Sequence, residues 1–502
     1  MGGKLSLIAE FPDREPVVLA GIASLDARWV RGKCGFCTRL TWGVGCWREC
    51  YPWSSTARTR GTRGWWWNGQ DRTLGHPPVA HSHDPPYSLC MFNRRHSVNE
   101  VFTPRRNEVN REIYVDRKEL EKELRRSLDG ALHTVIFGES GSGKSWLYKK
   151  VLADLGAKIA TANCANALRF HSLTEEIRQV VAQENPKRLE ELSEEMNASV
   201  KAVVAEGGLK STRKYSFAET DPLLVCFRLL REKAGNKLAV LVIDNLEMIF
   251  SSKDRMDELA AIITLLDDNR YAEYKVKLLV VGVPSDIKDY LAKGHASVSN
   301  RISEVSEVSS LSKEEVAILV EKGFVTLLKT DIDNSTLKYW QEHIYVVTMG
   351  FAQPVQEYCE QLGYKLEDVD WKASPELLKQ ADTAWLKKGL SQASGMIVPL
   401  MNERETKLGR RNQVLFALGK VNKRVFHANE IETILRNEFP SSTADVSLAV
   451  GQILSELTGG DSPIIKRSSK GPTYEFKDAR YAMALRVLLQ KDSHKEIVTK
   501  VE

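Results

Sequence analysis

The sequence has no long run of apolar residues and few cysteines for its 502 residues. Its apolar runs, such as 239–243 and 278–281, are far shorter than the roughly 20 residues that a helix needs to cross a bilayer. Five of the eight cysteines lie in the first 90 residues, and the other three, Cys164, Cys226 and Cys359, are isolated. Isolated cysteines do not make a disulfide framework. We therefore expect a cytoplasmic protein that has no membrane contact.

The chain also lacks a strong excess of either charge. Its formal charge of +5 comes from residues 1–100, which hold 13 basic and 8 acidic residues, so that residues 101–502 balance to zero. Residues 408–502 hold 15 basic and 11 acidic residues, an excess of +4. An excess of this size permits contact with nucleic acid without requiring it. The length predicts about two to four domains.

Residues 1–100 differ in composition from the rest of the chain. Seven of the eleven tryptophans lie there, and arginine dominates the basic residues. One explanation is a disordered segment, and another is an over-extended start, with translation beginning at Met91. A third is a zinc site, because two short-spaced thiol pairs are present: Cys34 with Cys37, and Cys46 with Cys50. The opening Met1-Gly2 also fits a short myristoylation pattern. We treat residues 1–100 as a separate, atypical region.

The stretch GESGSGKS, residues 138–145, is typical of a phosphate-binding loop, or P-loop. It follows the strand-like residues 135–137 and precedes a helix from about residue 144 to 155, the context that such a loop needs. Its glycines allow positive φ and close approach of backbone N–H groups to a β-phosphate. The Lys144 ammonium would reach the β- and γ-phosphates, and the Ser145 hydroxyl would bind Mg²⁺. The predicted cofactors are ATP and Mg²⁺, and the predicted contacts are Gly138, Glu139, Ser140, Gly141, Ser142, Gly143, Lys144, Ser145 and Trp146.

A second strand supplies the acid that such a metal site needs. Residues 238–243 are a continuous apolar run, typical of a parallel strand buried on both faces, and Asp244 follows at the edge where ligands bind. Asp244 would hold Mg²⁺ through water, which makes Ser145 and Asp244 the predicted metal ligands. A third apolar strand, 278–283, leads to Ser285, whose hydroxyl is a candidate contact near the γ-phosphate.

The order of these motifs resembles that of AAA+ ATPases of the origin-recognition-like group and of the related signal-transducing (STAND) ATPases. GESGSGKS, IDNLE, LLVVGVPSD and SNR carry the resemblance, which covers roughly residues 100–370. It implies an α/β ATPase in which Lys144 and Ser145 contact phosphate and Mg²⁺. In AAA+ enzymes a glutamate usually follows the metal-binding aspartate directly. Here Asn245 follows it and Glu247 is the candidate catalytic acid, so that we expect slow hydrolysis.

The resemblance implies roles for two more residues, each with a plain alternative. Arg301 lies where an arginine finger or an inter-subunit arginine is expected, and the alternative is a surface arginine in a loop. The segment 349–354 looks like the Gly-to-Pro segment of a STAND lid, in which Pro354 would lie against the adenine. The alternative is a proline that only starts a helix. The predicted catalytic residues are therefore Lys144, Asp244, Glu247 and Arg301.

Residues 408–490 resemble a winged helix-turn-helix, because three helical patterns precede two strand-like pieces around a basic turn. The third helical pattern, 442–457, contains no lysine or arginine for contacts to bases or phosphates. Three basic residues of the turn, Lys466, Arg467 and Lys470, could contact a DNA backbone, although three charges support only weak, salt-sensitive binding. The sequence of this module therefore predicts either contact with DNA or a protein contact, within one chain or between chains.

The predicted fold class is α/β, with a P-loop NTPase core that has a parallel sheet, a helical lid and a C-terminal winged helix-turn-helix. The predicted boundaries are 101–310 for the core, 311–400 for the lid and 408–490 for the winged helix. We expect an ATP-binding, slowly hydrolysing AAA+/STAND-type ATPase that acts as a conformational or assembly switch, through a partner protein or a homo-oligomer. The alternative is an origin-recognition-like ATPase that binds DNA and loads or remodels partners on the duplex.

Overall fold

The computed structural model describes residues 95–184, 187–188, 191, 194, 221–282, 296–402, 409–460, 463–468, 471–492 and 494–501. These residues belong to one unit of the chain, Pro86–Glu502. The predictions that concern residues 1–94, Ser285 and Lys470 lie outside the described ranges.

Five parallel strands form the central sheet of the first half of the chain, in the order β2-β3-β4-β1-β5. Strands β3 and β4 are buried along nearly all their length, as their continuous apolar sequences predicted. The strands are β1 (His133–Phe137), β2 (Lys158–Asn163), β3 (Ala239–Asp244), β4 (Val276–Gly282) and β5 (Ile302–Glu304). The helices of this half are α1 (Val98–Val101), α2 (Lys118–Asp129), α3 (Lys144–Asp154), α4 (Cys164–Phe170), α5 (Leu173–Glu184), α6 (Pro222–Ala234), α7 (Lys253–Leu265) and α8 (Asn269–Ala272).

Two apolar cores lie on the two faces of this sheet. Alternate residues of β3 point to opposite sides, with Leu241 and Ile243 in one core and Val240 and Val242 in the other. Both faces are therefore covered by helices, as a parallel sheet requires. This arrangement confirms the predicted α/β P-loop fold class.

The carboxyl ends of β1, β2 and β3 bring the predicted motifs to one edge of the sheet, in which β4 lies between β1 and β3. Strand β1 leads into the loop 138–143 and helix α3, and β3 ends at Asp244. Asn163, the last residue of β2, is the register partner of Asp244. Parallel pairing therefore places a loop from one strand and an acid from another beside each other, although more than 100 residues separate them in the chain.

The lid consists of five helices, α9 (Lys313–Glu321), α10 (Asn334–Thr348), α11 (Ala352–Glu367), α12 (Leu377–Lys388) and α13 (Ser391–Ile397). Its core contains large, fully buried side chains, among them Trp340, Trp385, Tyr358 and Phe324. Residues that precede the sheet pack into the same core, namely Val98, Val101, Phe102 and Ile113. The lid is thus built from two parts of the chain, and α1 crosses residue 100, where the sequence suggested a boundary.

The C-terminal module contains helices around a small antiparallel sheet of order β6-β8-β7. The order of three main helices followed by a hairpin is the one predicted for a winged helix. Its elements are α14 (Arg410–Gly419), β6 (Val425–Phe426), α15 (Ala428–Glu438), α16 (Pro440–Thr443), α17 (Val450–Leu457), β7 (Ile465–Arg467), β8 (Tyr474–Phe476), α18 (Ala479–Leu488), β9 (Leu489–Asp492) and β10 (Ile497–Lys500). No helix among the described residues is long and apolar enough to span a bilayer.

The lid and the C-terminal module share one continuous apolar core, which runs from Trp340 of α10 to Leu485 of α18. A partly buried arginine strengthens this junction. Arg486 of α18 donates hydrogen bonds to the carbonyl oxygens of Gly419, at 2.6 Å, and Val421, at 2.8 Å, and also to that of Val346 in the lid. Burial lowers the pKa of Arg486 to about 10. The lid and the module are therefore joined by both apolar packing and hydrogen bonds.

We predict that Gly350→Ala destabilises the lid. Gly350 has a φ of +71°, and a Cβ atom there would lie 2.3 Å from the carbonyl oxygen of Leu311. A left-handed conformation at a residue with a side chain costs roughly 1–3 kcal/mol, and the collision adds to this. The urea midpoint, followed by circular dichroism, should fall.

The matched control for this change is Gly395→Ala. Gly395 lies within α13, and no heavy atom lies within 4 Å of the position of its Cβ. An alanine there should leave stability unchanged or raise it by about 0.4–1 kcal/mol, since it restricts the unfolded chain. Equal midpoints for the two variants would contradict the role of Gly350.

Candidate nucleotide site

A cavity of about 930 Å³ opens at the carboxyl edge of the sheet, between the P-loop, the lid and the segment that precedes α2. It collects most of the predicted site residues. Those that line it are Ser140, Gly141, Ser142, Gly143, Lys144, Ser145, Trp146, Asp244 and Glu247. Gly138 and Glu139 lie at the base of the loop and are not part of the lining.

The P-loop has the backbone conformation that its glycines predicted. The φ angles of Gly138, Gly141 and Gly143 are +150°, +80° and +98°. A Cβ atom on Gly138 would lie 2.5 Å from the carbonyl oxygen of Val308, so that only glycine fits at this position. Gly143 is the N-cap of α3, and the first N–H groups of a helix have no partner within the helix. The loop can therefore present several backbone donors to an anion.

The Lys144 side chain lies across the loop. Its Nζ atom donates to the carbonyl oxygens of Gly138 and Glu139, both at 2.8 Å. Burial lowers the pKa of the Lys144 ammonium, and three nearby carboxylates oppose that shift, those of Glu247, Asp244 and Glu139. A phosphate oxygen is a stronger acceptor than a backbone carbonyl. Lys144 therefore lies close to the place where an anion would bind. It could exchange its two carbonyl partners for a phosphate oxygen, which is the stronger acceptor.

Two buried polar atoms at this cavity lack a hydrogen-bond partner among the described residues. They are Ser142 Oγ and Nη1 of the Arg117 guanidinium, and both residues line the cavity. Nη2 of Arg117 donates to the carbonyl oxygen of Ser309 at 2.8 Å, which orients the guanidinium. Burial lowers the pKa of Arg117, while the Glu315 carboxylate opposes the shift. The unpaired donor, the ammonium and the loop N–H groups fit an anionic ligand such as a nucleotide phosphate.

Both carboxylate oxygens of Asp244 accept a hydrogen bond. The Tyr148 hydroxyl donates to Oδ2 at 3.0 Å, and the backbone N–H of Asn245 donates to Oδ1 at 2.9 Å. Ser145 lines the same cavity, one helical turn before Tyr148 on α3. The hydroxyl and the carboxylate oxygens are hard ligands of the kind that Mg²⁺ prefers. The pair Ser145 and Asp244 therefore fits this ion.

Asn245 adopts a left-handed conformation, with φ +60° and ψ +44°. Asparagine visits this region more readily than glutamate, for which the left-handed conformation costs roughly 1–2 kcal/mol. A short 3₁₀ turn, Leu246–Met248, follows, and it carries Glu247 on the exposed lining of the cavity. The local backbone thus favours asparagine at 245, and the next acid faces the cavity from two residues further along.

The segment 103–109 covers one side of the cavity and is tied down at three points. Trp146 Nε1 donates to the carbonyl oxygen of Arg106 at 3.2 Å, and Lys149 Nζ donates to that of Asn107 at 2.9 Å. From the lid, Gln356 Oε1 accepts a hydrogen bond from the backbone N–H of Thr103 at 3.0 Å. Trp146, which was predicted to touch the nucleotide, thus also holds this covering segment.

Arg301 and Pro354 lie outside the cavity lining. Arg301 precedes β5, and its carbonyl oxygen accepts from the backbone N–H of His133 at the amino end of β1. Its side chain forms an ion pair with Asp267 at 2.5 Å. Pro354 is buried and lies against Gly141. A Cβ atom added to Gly141 would be 3.4 Å from the Cδ atom of Pro354. Arg301 is therefore remote from the cavity of its own chain, and Pro354 contacts the loop.

Sequence reasoning missed Arg117, Tyr148 and the segment 103–109. Tyr148 is one turn after Ser145, and this spacing alone would have placed it on the same face of the helix. Nothing in the sequence indicated that its hydroxyl reaches the end of β3. Arg117 is one of several basic residues near the start of α2, and no local pattern distinguishes it from the others.

Comparisons with known proteins match part of the chain to a family model. Residues 125–291 match the family model described as an AAA domain, and no curated protein matches the chain. The solved structures to which the chain is similar include the Walker-type ATPase of Pyrococcus abyssi, with 17% identity, a TM-score of 0.43 and coverage of 76% of this chain and 98% of that one. The chain is also similar to Cdc6p of Pyrobaculum aerophilum, with 14% identity, a TM-score of 0.38 and coverage of 78% of this chain and 97% of that one.

The ORC1 protein of Aeropyrum pernix, solved in complex with DNA, is similar at 16% identity and a TM-score of 0.39, with coverage of 78% of this chain and 96% of that one. The matched family range, 125–291, contains the P-loop, α3 and the strand that ends in Asp244. It therefore includes three of the four motifs that carry the predicted resemblance to AAA+ ATPases, and SNR, residues 299–301, lies outside it. This chain carries an AAA-type P-loop ATPase domain, with the candidate nucleotide site at the carboxyl edge of its parallel sheet.

Proposed function

We propose that this protein binds ATP with Mg²⁺, hydrolyses it slowly and uses the bound nucleotide to control the position of its lid and C-terminal module. Lys144 and the loop N–H groups hold the phosphates, and the Ser145 hydroxyl and the Asp244 carboxylate hold Mg²⁺, which neutralises charge on the phosphate oxygens. The observation that carries the proposal is the direct contact of the P-loop with both the lid and the C-terminal module. Such contacts couple phosphate binding to domain position.

The first contact is an ion pair between the P-loop and the C-terminal module. Arg424, just before β6, lies 3.2 Å from Oε1 of Glu139, and it also lies 3.6 Å from Glu475 of β8. Burial raises the pKa of the Glu139 carboxyl, and Arg424 opposes that shift. Lys466 pairs with the other oxygen of Glu475 at 3.0 Å. A chain of alternating charges therefore runs from the P-loop into the predicted wing.

The second contact runs through the lid. The backbone N–H of Gln353, at the start of α11, donates to the carbonyl oxygen of Gly141 at 3.0 Å. The Gln353 side chain donates to Glu357 at 2.8 Å, and Glu357 also accepts two hydrogen bonds of 3.1 Å from Arg480 of α18. The side chain of Glu357 is only 7% exposed, so these bonds are poorly screened by water. A shift of the loop backbone would therefore act on the C-terminal module through Gln353, Glu357 and Arg480.

Phosphate binding would disturb both contacts for an electrostatic reason. Lys144 must exchange its two carbonyl partners, on Gly138 and Glu139, for phosphate oxygens, which frees the base of the loop. The added negative charge also competes with Glu139 for Arg424. We infer that the nucleotide loosens or re-forms the Arg424 link and so moves the module relative to the core, which exposes a surface for a partner protein or a second copy of the chain.

Slow hydrolysis is proposed on the basis of Asn245 and Glu247. Glu247 lines the cavity and is exposed, and its carboxylate can orient or deprotonate a water molecule for attack on the γ-phosphate. Asn245 has no carboxylate for this task. Arg301 cannot reach the site of its own chain, so that any role as an arginine finger would be exerted in the site of a neighbouring copy.

We predict that Lys144→Ala weakens ATP binding. Hydrogen bonds to charged groups contribute about 1.5–3 kcal/mol, which corresponds to a loss of roughly 10- to 100-fold in affinity. Isothermal titration with ATP and Mg²⁺ measures it. The control is Lys253→Ala, which removes a lysine whose side chain is 86% exposed on α7. If both variants bind like the wild type, the P-loop does not hold the phosphates.

Glu247→Gln should keep ATP affinity and slow phosphate release by roughly 10²- to 10⁴-fold, the usual contribution of a general base. Because ATP then persists, a nucleotide-dependent assembly seen by light scattering should also persist. Glu273→Gln, an exposed glutamate before β4, serves as the control. An unchanged rate of phosphate release would exclude Glu247 as the base.

Light scattering with and without duplex DNA separates the switch from the DNA-loading alternative. Helix α17 contains no basic residue, and Lys466 of the predicted wing is paired with Glu475. The switch predicts assembly that depends on ATP and is indifferent to DNA. Assembly that appears only with duplex, and that Lys466→Ala with Arg467→Ala abolishes, would favour the loader instead.

Arg424→Glu should uncouple the C-terminal module from the P-loop, because it places an acid against Glu139. We expect hydrogen exchange in residues 425–438 to lose at least half of its response to ATP. Lys423→Glu is the matched control, since it makes the same charge change at the neighbouring position, which pairs with Glu430 at 3.4 Å and not with the P-loop. Equal responses in both variants would remove the coupling role of Arg424.

A further inference from the structure

Tyr148 places a hydroxyl group beside the acid of the proposed metal site. It is fully buried on α3, three residues after Ser145, so that both side chains emerge on the same face of the helix. Its ring packs with Val242 of β3 and Leu279 of β4 in one of the two sheet cores. Its hydroxyl reaches the carboxyl end of β3, where it lies 3.0 Å from Oδ2 of Asp244.

The direction of this hydrogen bond follows from the partner of the phenol. An ionised carboxylate can only accept, so the proton comes from Tyr148. With the Asn245 N–H on Oδ1, each carboxylate oxygen has one donor among the described residues and keeps a further lone pair for a metal-bound water. The carboxylate is therefore fixed in rotation while it remains able to accept.

We infer that Tyr148 is a positioning residue that orients the Asp244 carboxylate and thereby sets the Mg²⁺ dependence of nucleotide binding. The inference rests on the proposed function, because it requires that Asp244 acts in a Mg²⁺-ATP site. Groups that hydrogen-bond to metal ligands usually change metal affinity roughly 10- to 100-fold when they are removed. Tyr148 touches neither phosphate nor metal, and its effect passes through Asp244.

A purely structural role for the hydroxyl makes a different prediction. The aromatic ring fills the core equally well in phenylalanine, so that packing does not need the hydroxyl. If the hydroxyl only satisfied a buried polar group, its loss would change stability slightly and leave Mg²⁺ dependence unaltered. The two roles are therefore separated by a metal titration of the bound nucleotide.

The experiment measures binding of a fluorescent ATP analogue, mant-ATP, as a function of Mg²⁺ concentration. For Tyr148→Phe we expect that half-maximal binding needs roughly tenfold more Mg²⁺, while binding without Mg²⁺ stays like that of the wild type. The matched control is Tyr358→Phe in the lid. It removes the hydroxyl of an equally buried tyrosine, which donates to Asp382 at 2.7 Å. This control should titrate like the wild type. An unchanged or lower Mg²⁺ requirement in Tyr148→Phe would overturn the inference.

A double-mutant cycle with Asp244→Asn tests whether the effect passes through the aspartate. Asp244→Asn should itself raise the Mg²⁺ requirement, and adding Tyr148→Phe should then change nothing further. Independent, multiplying effects of the two changes would also overturn the inference. A wild type that binds no mant-ATP would overturn the proposed function and this inference with it, whereas normal Mg²⁺-dependent binding with an unaffected Tyr148→Phe would overturn the inference alone.

Discussion

The left-handed backbone of the P-loop is the constraint on which the rest of the site depends. Gly138, Gly141 and Gly143 all have positive φ, and this turns the chain sharply enough for α3 to start beside the end of β1. The loop has little freedom to relax, because the Val308 carbonyl lies against Gly138 and the Gln353 N–H holds the carbonyl of Gly141. The backbone donors at the start of α3 are therefore oriented before any ligand arrives.

The charges that surround the P-loop partly balance one another. Lys144 lies among the carboxylates of Asp244, Glu247 and Glu139, which offset part of the energetic penalty of its burial. Glu139 has in turn a cation from another part of the chain, Arg424. A ligand with several negative charges changes the balance at each of these positions at once. This is the physical reason that a local binding event can act on distant elements.

The shared core of the lid and the C-terminal module makes those two parts a single mechanical body. Trp340, Tyr358 and Leu485 belong to one apolar cluster, and Arg486 ties the carbonyl groups of both parts together. The contacts of the P-loop with these parts include the hydrogen bond from Gln353, the ion pair with Arg424 and the packing of Pro354 against Gly141. Polar contacts can be exchanged for water more readily than the apolar contacts of a buried core. The proposed movement would therefore separate the core from the combined body.

Local patterns in the sequence determined the parallel sheet, the P-loop and the acid at the end of β3. Apolar runs, glycine spacing and the position of Asp244 are all patterns of residues that are adjacent in the chain. The carboxyl ends of parallel strands lie at the same edge of a sheet, so these patterns also predict where the site forms. Tertiary structure alone decided the partners of these residues. Tyr148 meets Asp244, Arg424 meets Glu139, and Arg301 turns to Asp267 and away from the cavity. Such pairs join residues far apart in sequence, and their side-chain directions follow from how whole elements pack, which no local pattern records.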